Sequence, residues 1–269
     1  QTRFRIQILN SWQRAIKPGM RELEIGCGQG PCTAILAEAV GPDGHVDALD
    51  IAPLDYGEPI TLADSWRFLR RSKIGGRITF RRRDPIEFLN EREWKEKTWD
   101  VAVMCLSMWY LRSHTVLEDI LHSLKGRVSR ICTAEYNLSA QNPAALPHVM
   151  AAMVRGFKES RDETSDENIR MPMSRCLIER IARTAGWEIR SVEAITPDEE
   201  VQDGMWEVRM VLADARERLS KMRKHEPLTK EEAVWLSAEE ALELLVAQVV
   251  GPENDGDDEA LRTMDVWAA

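Results

Sequence analysis

Three glycines at alternate positions, Gly26, Gly28 and Gly30, offer the first chemistry in this sequence. They follow a short apolar run, Leu23–Ile25, and precede Pro31 and a helical pattern through Ala39. Glycine lets a chain turn sharply and lets a ligand reach the backbone with no Cβ in the way. Pro31 suits a first helical position, where the missing N–H is not needed. The spacing is not that of a dinucleotide loop, G-x-G-x-x-G/A: the third glycine comes one residue early, and Pro31 stands where the third small residue belongs. Glu24 adds a carboxylate beside the loop, a poor neighbour for a pyrophosphate and a good one for an ammonium group. Asp50, with Ile51 after it, ends a second apolar run, His45–Leu49, twenty residues beyond Gly30. A carboxylate there can accept two hydrogen bonds from a ribose diol. The plainer readings are a tight turn with no ligand and an ordinary loop acid; Asp47 lies within the run and is the weaker candidate.

Further along, Cys105-Leu106-Ser107-Met108-Trp109-Tyr110 closes a fourth apolar run, Trp99–Leu106. The π faces of Trp109 and Tyr110 can hold an aromatic group or a cation, although one of the two could be core. Glu135, after the run Val128–Ala134, could act as a general base, hold a substrate amine, or be an exposed loop acid. His148 and Met153 could face a substrate, but core packing is the simpler reading. The five cysteines form no C-x-x-C pair and no Cys/His cluster, so no metal is expected. Arg67, Arg70, Arg71, Lys73, Arg77, Arg81, Arg82 and Arg83 could bind phosphates. Nearby Glu87, Glu91, Glu93 and Glu96 favour a solvated, balanced face instead.

An acidic residue, one residue, then G-x-G-x-G resembles motif I of the class I S-adenosylmethionine-dependent methyltransferases. The resemblance covers about Lys17 to Leu212. It implies S-adenosylmethionine as cofactor, held by Glu24, Gly26, Cys27, Gly28, Gly30, Thr33, Asp50 and Ile51. It also implies that Asp84 accepts a hydrogen bond from the adenine amino group, with Pro85 or Ile86 against the ring. The alternative for Asp84 is a helix cap. Cys105 and Leu106 would border the sulfonium. Two family patterns are absent: Asp/Asn-Pro-Pro-Tyr/Phe, and an acid placed to hold Mg²⁺ at the end of the fourth strand. Trp109, Tyr110 and Glu135 therefore stand as the catalytic candidates, lining the site of a small organic acceptor methylated on O, N or S. The rivals are an RNA or protein methyltransferase using the basic 67–83 region, a non-methylating cofactor-bound member, and a scaffold with a degenerate site.

The elements needed to position these residues fit an α/β fold: a doubly wound, Rossmann-like, seven-stranded and mostly parallel sheet with helices on both faces. Helices are expected at Phe4–Ile16, Leu62–Leu69, Thr115–Lys125, Pro143–Phe157 and Ser174–Gly186. Ile78–Phe80 reads as the third strand, and Trp187–Ile195 and Met205–Leu212 as two late strands, the last antiparallel. A methyltransferase domain is expected over 1–217, with 137–170 as a substrate lid whose loop Glu159–Asn168 is highly charged. A helical extension over 218–269 would hold an amphipathic helix, Ala233–Val250, able to pack on a second subunit, and an acidic stretch, Glu253–Glu259. At 269 residues the chain can bury a full α/β core. Opening on Gln1, it reads as trimmed at its amino end. Scattered cysteines and the lack of a signal peptide or membrane span point to a cytoplasmic protein. The net charge of −9 argues against a nucleic-acid partner.

Overall fold

In the computed structural model, residues 1–12, 15–161, 165, 168–222, 228–251 and 260–269 are described. They form two compact units. The first comprises Gln1–Glu135, Arg175–Ile195 and Trp267–Ala269; the second comprises Tyr136–Ser174 and Thr196–Val266.

The sheet, all of it in the first unit except the strand-end residues Tyr136 and Val266, is built from β1 (Arg21–Ile25), β2 (His45–Asp50), β3 (Ile78–Arg82), β4 (Trp99–Cys105), β5 (Val128–Tyr136), β6 (Glu193–Ile195) and β7 (Val266–Ala268). Their order is β3-β2-β1-β4-β5-β7-β6. β1 pairs in parallel with β2 and β4, β2 with β3, and β4 with β5. Strands covered on both faces need apolar side chains at nearly every position, and Val101–Cys105 meets that demand with five buried residues in succession. β7 runs the other way: Thr133 and Ala269 exchange both backbone hydrogen bonds at 2.8 Å, as only an antiparallel pair does.

The helices of this unit are α1 (Thr2–Ser11), α2 (Pro31–Ala39), α3 (Leu62–Arg71), α4 (Pro85–Asn90), α5 (His114–Ser123) and α7 (Arg175–Thr184). Several start where the sequence supplies a start. Pro31 opens α2, Thr61 caps α3 by accepting from Asp64 N, and Ser113 caps α5 by accepting from Val116 N. The stripe Phe4, Ile8, Trp12 and Ile16 is buried, so α1 packs in the core.

The second unit contains α6 (Leu146–Glu159), α8 (Asp203–Met222) and α9 (Lys230–Val250). Its core joins Ala151 and Val154 to Met205, Val208 and Val211, and to Leu242 and Leu261. Thr229 and Glu232 form the expected capping box of α9.

The late part of the chain departs from expectation. Met205–Leu212 is helical, because its apolar residues recur every three or four places, Met205, Val208, Val211 and Ala215, all buried, while Trp206 stays 56% exposed. Of Trp187–Ile195 only Glu193–Ile195 is strand. The antiparallel strand comes instead from Val266–Ala268. The units therefore do not divide at 217/218: residues 137–170 share a unit with α8 and α9, and Trp267–Ala269 belongs with the sheet. Glu253–Glu259 lies outside the described residues, as does part of Glu159–Asn168.

Candidate functional site

The glycine loop leaves the carboxyl end of β1 and is fastened on every side. Gly26 and Cys27 both donate backbone N–H to Leu49 O at 2.9 Å, tying the loop to the end of β2. Its outer carbonyls are taken by α3: Trp66 Nε1 donates to Gly28 O at 2.8 Å and Ser65 Oγ to Gln29 O at 2.7 Å. The Gln29 side-chain amide donates to Ile60 O. Gly26 has φ +77° and faces Ser107; a Cβ there would lie 2.5 Å from Ser107 Cβ. Gly28, at φ +52°, has the opposite surroundings, since a Cβ would meet nothing within 4 Å. The first glycine lets protein pack on protein, and the second bares the backbone to open space.

Asp50 sits where that backbone is bared. Its Oδ2 accepts from Gly28 N at 2.6 Å and its Oδ1 from Ala52 N at 2.9 Å. Each oxygen keeps a lone pair for a further donor such as a ribose hydroxyl. Ile51 beside it is exposed. Asp84 caps α4, with Oδ1 accepting from Ile86 N at 2.8 Å and Glu87 N at 3.0 Å. Oδ2 takes part in neither cap, so capping and a contact with an amino group are compatible. Pro85 is half-buried at the start of α4.

Glu24 lies under the loop, 1% exposed, accepting from Thr33 Oγ1 at 2.5 Å. Burial pushes its carboxyl up to about 7, against the pull of the Thr33 and Cys32 hydrogen bonds. One strand position pair away, burial together with the Glu24 and Asp100 charges raises Glu22 to about 8. Glu24 and Thr33 thus brace the floor of the loop. Cys27, Cys32 and Cys105 are buried thiols. A hydrogen bond with the Cys105 thiol, then burial, holds Cys32 well above the usual thiol range, and burial does the same for Cys27.

The segment after β4 closes the other side. Leu106 adopts a left-handed φ of +52°, unusual for a branched side chain. Ser107 Oγ donates to Ile25 O at 2.9 Å. Met108–Tyr110 forms a single 3₁₀ turn whose first two N–H groups, of Met108 and Trp109, donate to Glu135 Oε2 at 2.9 and 3.2 Å. The three residues expected to be catalytic therefore separate. Trp109 is 1% exposed and belongs to the core; Tyr110 is 49% exposed; Glu135 is 1% exposed and grips the turn from β5. Tyr110 is the aromatic side chain presented to solvent, and Glu135 is an anchor for the backbone that presents it. His148, also expected to be core, is 1% exposed in the second unit, where its Nδ1 accepts from Met264 N at 3.1 Å.

Sequence reasoning missed Ser107, Ser65, Trp66 and Gln29 as parts of the loop's support. Only Ser107 carried a signal, its place directly after a strand end facing the glycines. The basic region is largely occupied with its own chain. Arg70 donates to Phe80 O, Arg77 to Ala37 O and Glu38, Arg81 to Asp47, and Arg67 to Asp64. Among the described residues no His/Cys/Asp/Glu group suits a metal ion, and no helix is long and apolar enough to cross a membrane.

These features can be set beside known proteins. The family described as Protein-L-isoaspartate(D-aspartate) O-methyltransferase matches residues 5–54, the stretch from α1 through the glycine loop to Asp50. The methyltransferase phomM′ of Diaporthe leptostromiformis is 29% identical over 248 residues, covering 77% of this chain. That match spans 64% of the relative's own length, less than two thirds. Among solved structures, a cyclopropane-fatty-acyl-phospholipid synthase-like protein from Lactobacillus casei superimposes with a TM-score of 0.80 at 26% identity, over 99% of this chain and 88% of that one. The cyclopropane synthase MmaA2 of Mycobacterium tuberculosis shares the fold at a TM-score of 0.54 and 13% identity, over 98% of this chain and 81% of that one. The loop geometry fits an adenosyl amino acid on its own evidence, through the open backbone at Gly28 and the acceptors of Asp50 and Asp84. The chain is similar to class I S-adenosylmethionine-dependent methyltransferases in its glycine loop, in sequence over most of its length and in fold.

Proposed function

We propose that this chain transfers the methyl group of S-adenosylmethionine to an O, N or S atom of a small organic molecule by in-line displacement. The observation that carries the reading is the bared backbone at Gly28 with the Asp50 carboxylate fixed 2.6 Å from its N–H. Bound there, S-adenosylmethionine supplies a methyl group already activated on a sulfonium. The chain's own task is then alignment and exclusion of water, which needs no strong acid or base. Asp50 would orient the ribose, and Asp84 Oδ2 the adenine amino group. The turn Met108–Tyr110, held by Glu135 and Ser107, would set Tyr110 beside the acceptor, where its ring can screen a sulfonium or stack on an aromatic acceptor. Support for a small acceptor rather than a nucleic acid comes from the intramolecular pairing of the arginines near α3.

A second reading has one observation in its favour. The Lactobacillus casei protein, described as cyclopropane-fatty-acyl-phospholipid synthase-like, matches 99% of this chain. An alkene carbon of a lipid acyl chain is therefore the alternative acceptor. Calorimetric titration with S-adenosylmethionine, S-adenosylhomocysteine and NAD tests the cofactor: binding of the first two and not the third is expected. A mass-monitored screen of small amines, phenols, thiols and unsaturated phospholipids then tests the acceptor. Product gaining one methylene mass with matching release of S-adenosylhomocysteine supports methyl transfer. Binding of NAD alone would refute the whole reading.

A further inference from the structure

Every peptide group of the glycine loop is held at some point, but not by the same means. Leu49 O accepts from Gly26 N and Cys27 N, Asp50 from Gly28 N, and Gly30 N closes the turn onto Cys27 O at 2.9 Å. The Gly28–Gln29 group depends on a side chain alone. Its carbonyl accepts from the Trp66 indole N–H at 2.8 Å, with a long contact from the Cys27 thiol at 3.7 Å beside it. Gln29 lies in the turn, outside every helix and strand, and its N–H meets no acceptor among the described residues.

Trp66 itself has little freedom. It is buried on α3, with its ring stacked on Phe80 of β3, centroids 4.9 Å apart and planes 11° from parallel. The Arg70 guanidinium lies over both rings and donates to Phe80 O at 3.1 Å. Ser65, its neighbour on α3, holds the next loop carbonyl, Gln29 O. The indole N–H is thus fixed in direction, and with it the Gly28 carbonyl. Among the described residues the one cis peptide bond is Glu58–Pro59, so Gly28–Gln29 is trans and planar. A carbonyl drawn to α3 sends the N–H of the same group the opposite way. Gly28 has the torsional freedom of glycine, so without the indole this group can turn over between its two fixed neighbours. It would then present an oxygen where it now presents a hydrogen.

We infer that Trp66 is a positioning residue for the cofactor: by holding Gly28 O, its indole N–H aims the Gln29 N–H away from α3, as a donor to an oxygen of the bound adenosyl compound. The inference rests on the cofactor reading above. Phe80 and Arg70 keep the indole in place and touch neither end of this hydrogen bond.

The test replaces Trp66 by benzothienylalanine, which keeps the double ring and puts sulfur in place of N–H, and separately uses Trp66→Phe. Phe80→Leu is the comparison, because it loosens the stack and leaves the donor. Calorimetry with S-adenosylhomocysteine should show binding about tenfold weaker for both Trp66 variants and within about twofold of the parent for Phe80→Leu. Thermal melting should rank them differently, with Phe80→Leu below the benzothienylalanine chain. The Gln29 amide proton, followed by NMR, should move downfield as the parent is saturated with ligand and move much less in the Trp66 variants. Equal binding by the parent and the benzothienylalanine chain would overturn the inference and leave the cofactor reading standing. So would a Gln29 amide that ignores the ligand in the parent, or a Phe80→Leu chain that loses as much affinity, which would make Trp66 one packing residue among several. A parent that binds no S-adenosylhomocysteine removes the cofactor reading, and this inference with it.

Discussion

Gly26 and Gly28 are two residues apart, and the structure assigns their replacement by alanine opposite consequences. Both have positive φ, +77° and +52°, so each alanine pays the left-handed penalty of about 1–2 kcal/mol, partly offset by about 0.4–1 kcal/mol from a stiffer unfolded chain. For Gly28→Ala that is nearly the whole effect on stability, because the new Cβ meets nothing within 4 Å. A net loss of about 1 kcal/mol should lower Tm by about 2–4 °C in a chain of this size. Gly26→Ala adds a collision: its Cβ would lie 2.5 Å from Ser107 Cβ and 2.9 Å from Ser107 Oγ. Ser107 must move, and its hydrogen bond to Ile25 O is lost, for about another 1 kcal/mol or more. The total, about 2–4 kcal/mol, should lower Tm by roughly 5–15 °C. Cofactor binding should rank the other way per degree of damage. Gly28→Ala puts a methyl group where the ligand must approach, so calorimetry should show S-adenosylhomocysteine binding weakened at least about 100-fold in a well-folded protein, a loss of about 2.7 kcal/mol. If Gly28→Ala binds the ligand as the parent does, the open space beside Gly28 is not the ligand's place. If the two variants melt alike, the packing of Ser107 on Gly26 is wrong.

Asp50→Asn removes a charge-assisted acceptor from Gly28 N and from the ribose, and should weaken S-adenosylhomocysteine binding by about 10- to 100-fold in the same titration. Glu135→Ala leaves the Met108 and Trp109 N–H groups without their carboxylate acceptor, at about 1–3 kcal/mol, whereas Glu135→Gln keeps an acceptor and should recover most of the lost Tm. Burial raises Glu22 and Glu24 to about 8 and 7, above the ordinary carboxylate value of 4.5, so the folded state holds more protons than the unfolded state between these limits. Their contribution to stability is full below pH 4.5 and is lost as pH rises toward 7 and then 8, by up to about 1.4 kcal/mol per pH unit for each group. Glu22→Gln should therefore flatten the fall in Tm between pH 5 and pH 8; an unchanged slope would refute burial as the cause.

What could be read from the sequence was whatever a few adjacent residues decide by themselves. The turn after β1 is legible because glycine adopts the positive φ values of Gly26, Gly28 and Gly30 at the least cost, and α2 follows because Pro31 starts it. Asp50 and Asp84 were legible because Asp50 ends β2 and Asp84 stands between β3 and Pro85, the first residue of α4. The roles of Trp109 and Tyr110 were not, since neighbours of similar chemistry are separated only by a 3₁₀ turn that a residue on another strand holds. Glu135 looked like a base because its type was visible and its two backbone partners were not. Met205–Leu212 was misread because Val208 and Val211 favour strands locally, while their burial with Ala151 and Leu242 depends on helices distant in sequence. β7, three residues long, carries no period at all.

The placement of β7 also bears on how the molecule is made. Among the described residues β6 has β7 as its one neighbour in the sheet, yet about 70 residues separate them along the chain. At 5–20 residues per second, a ribosome needs about 4–14 s to bridge that interval. During it Glu193–Ile195 waits with no sheet partner and the free side of β5 is sticky to any passing strand. Nascent chains paused between these two points should be the form most in need of a chaperone.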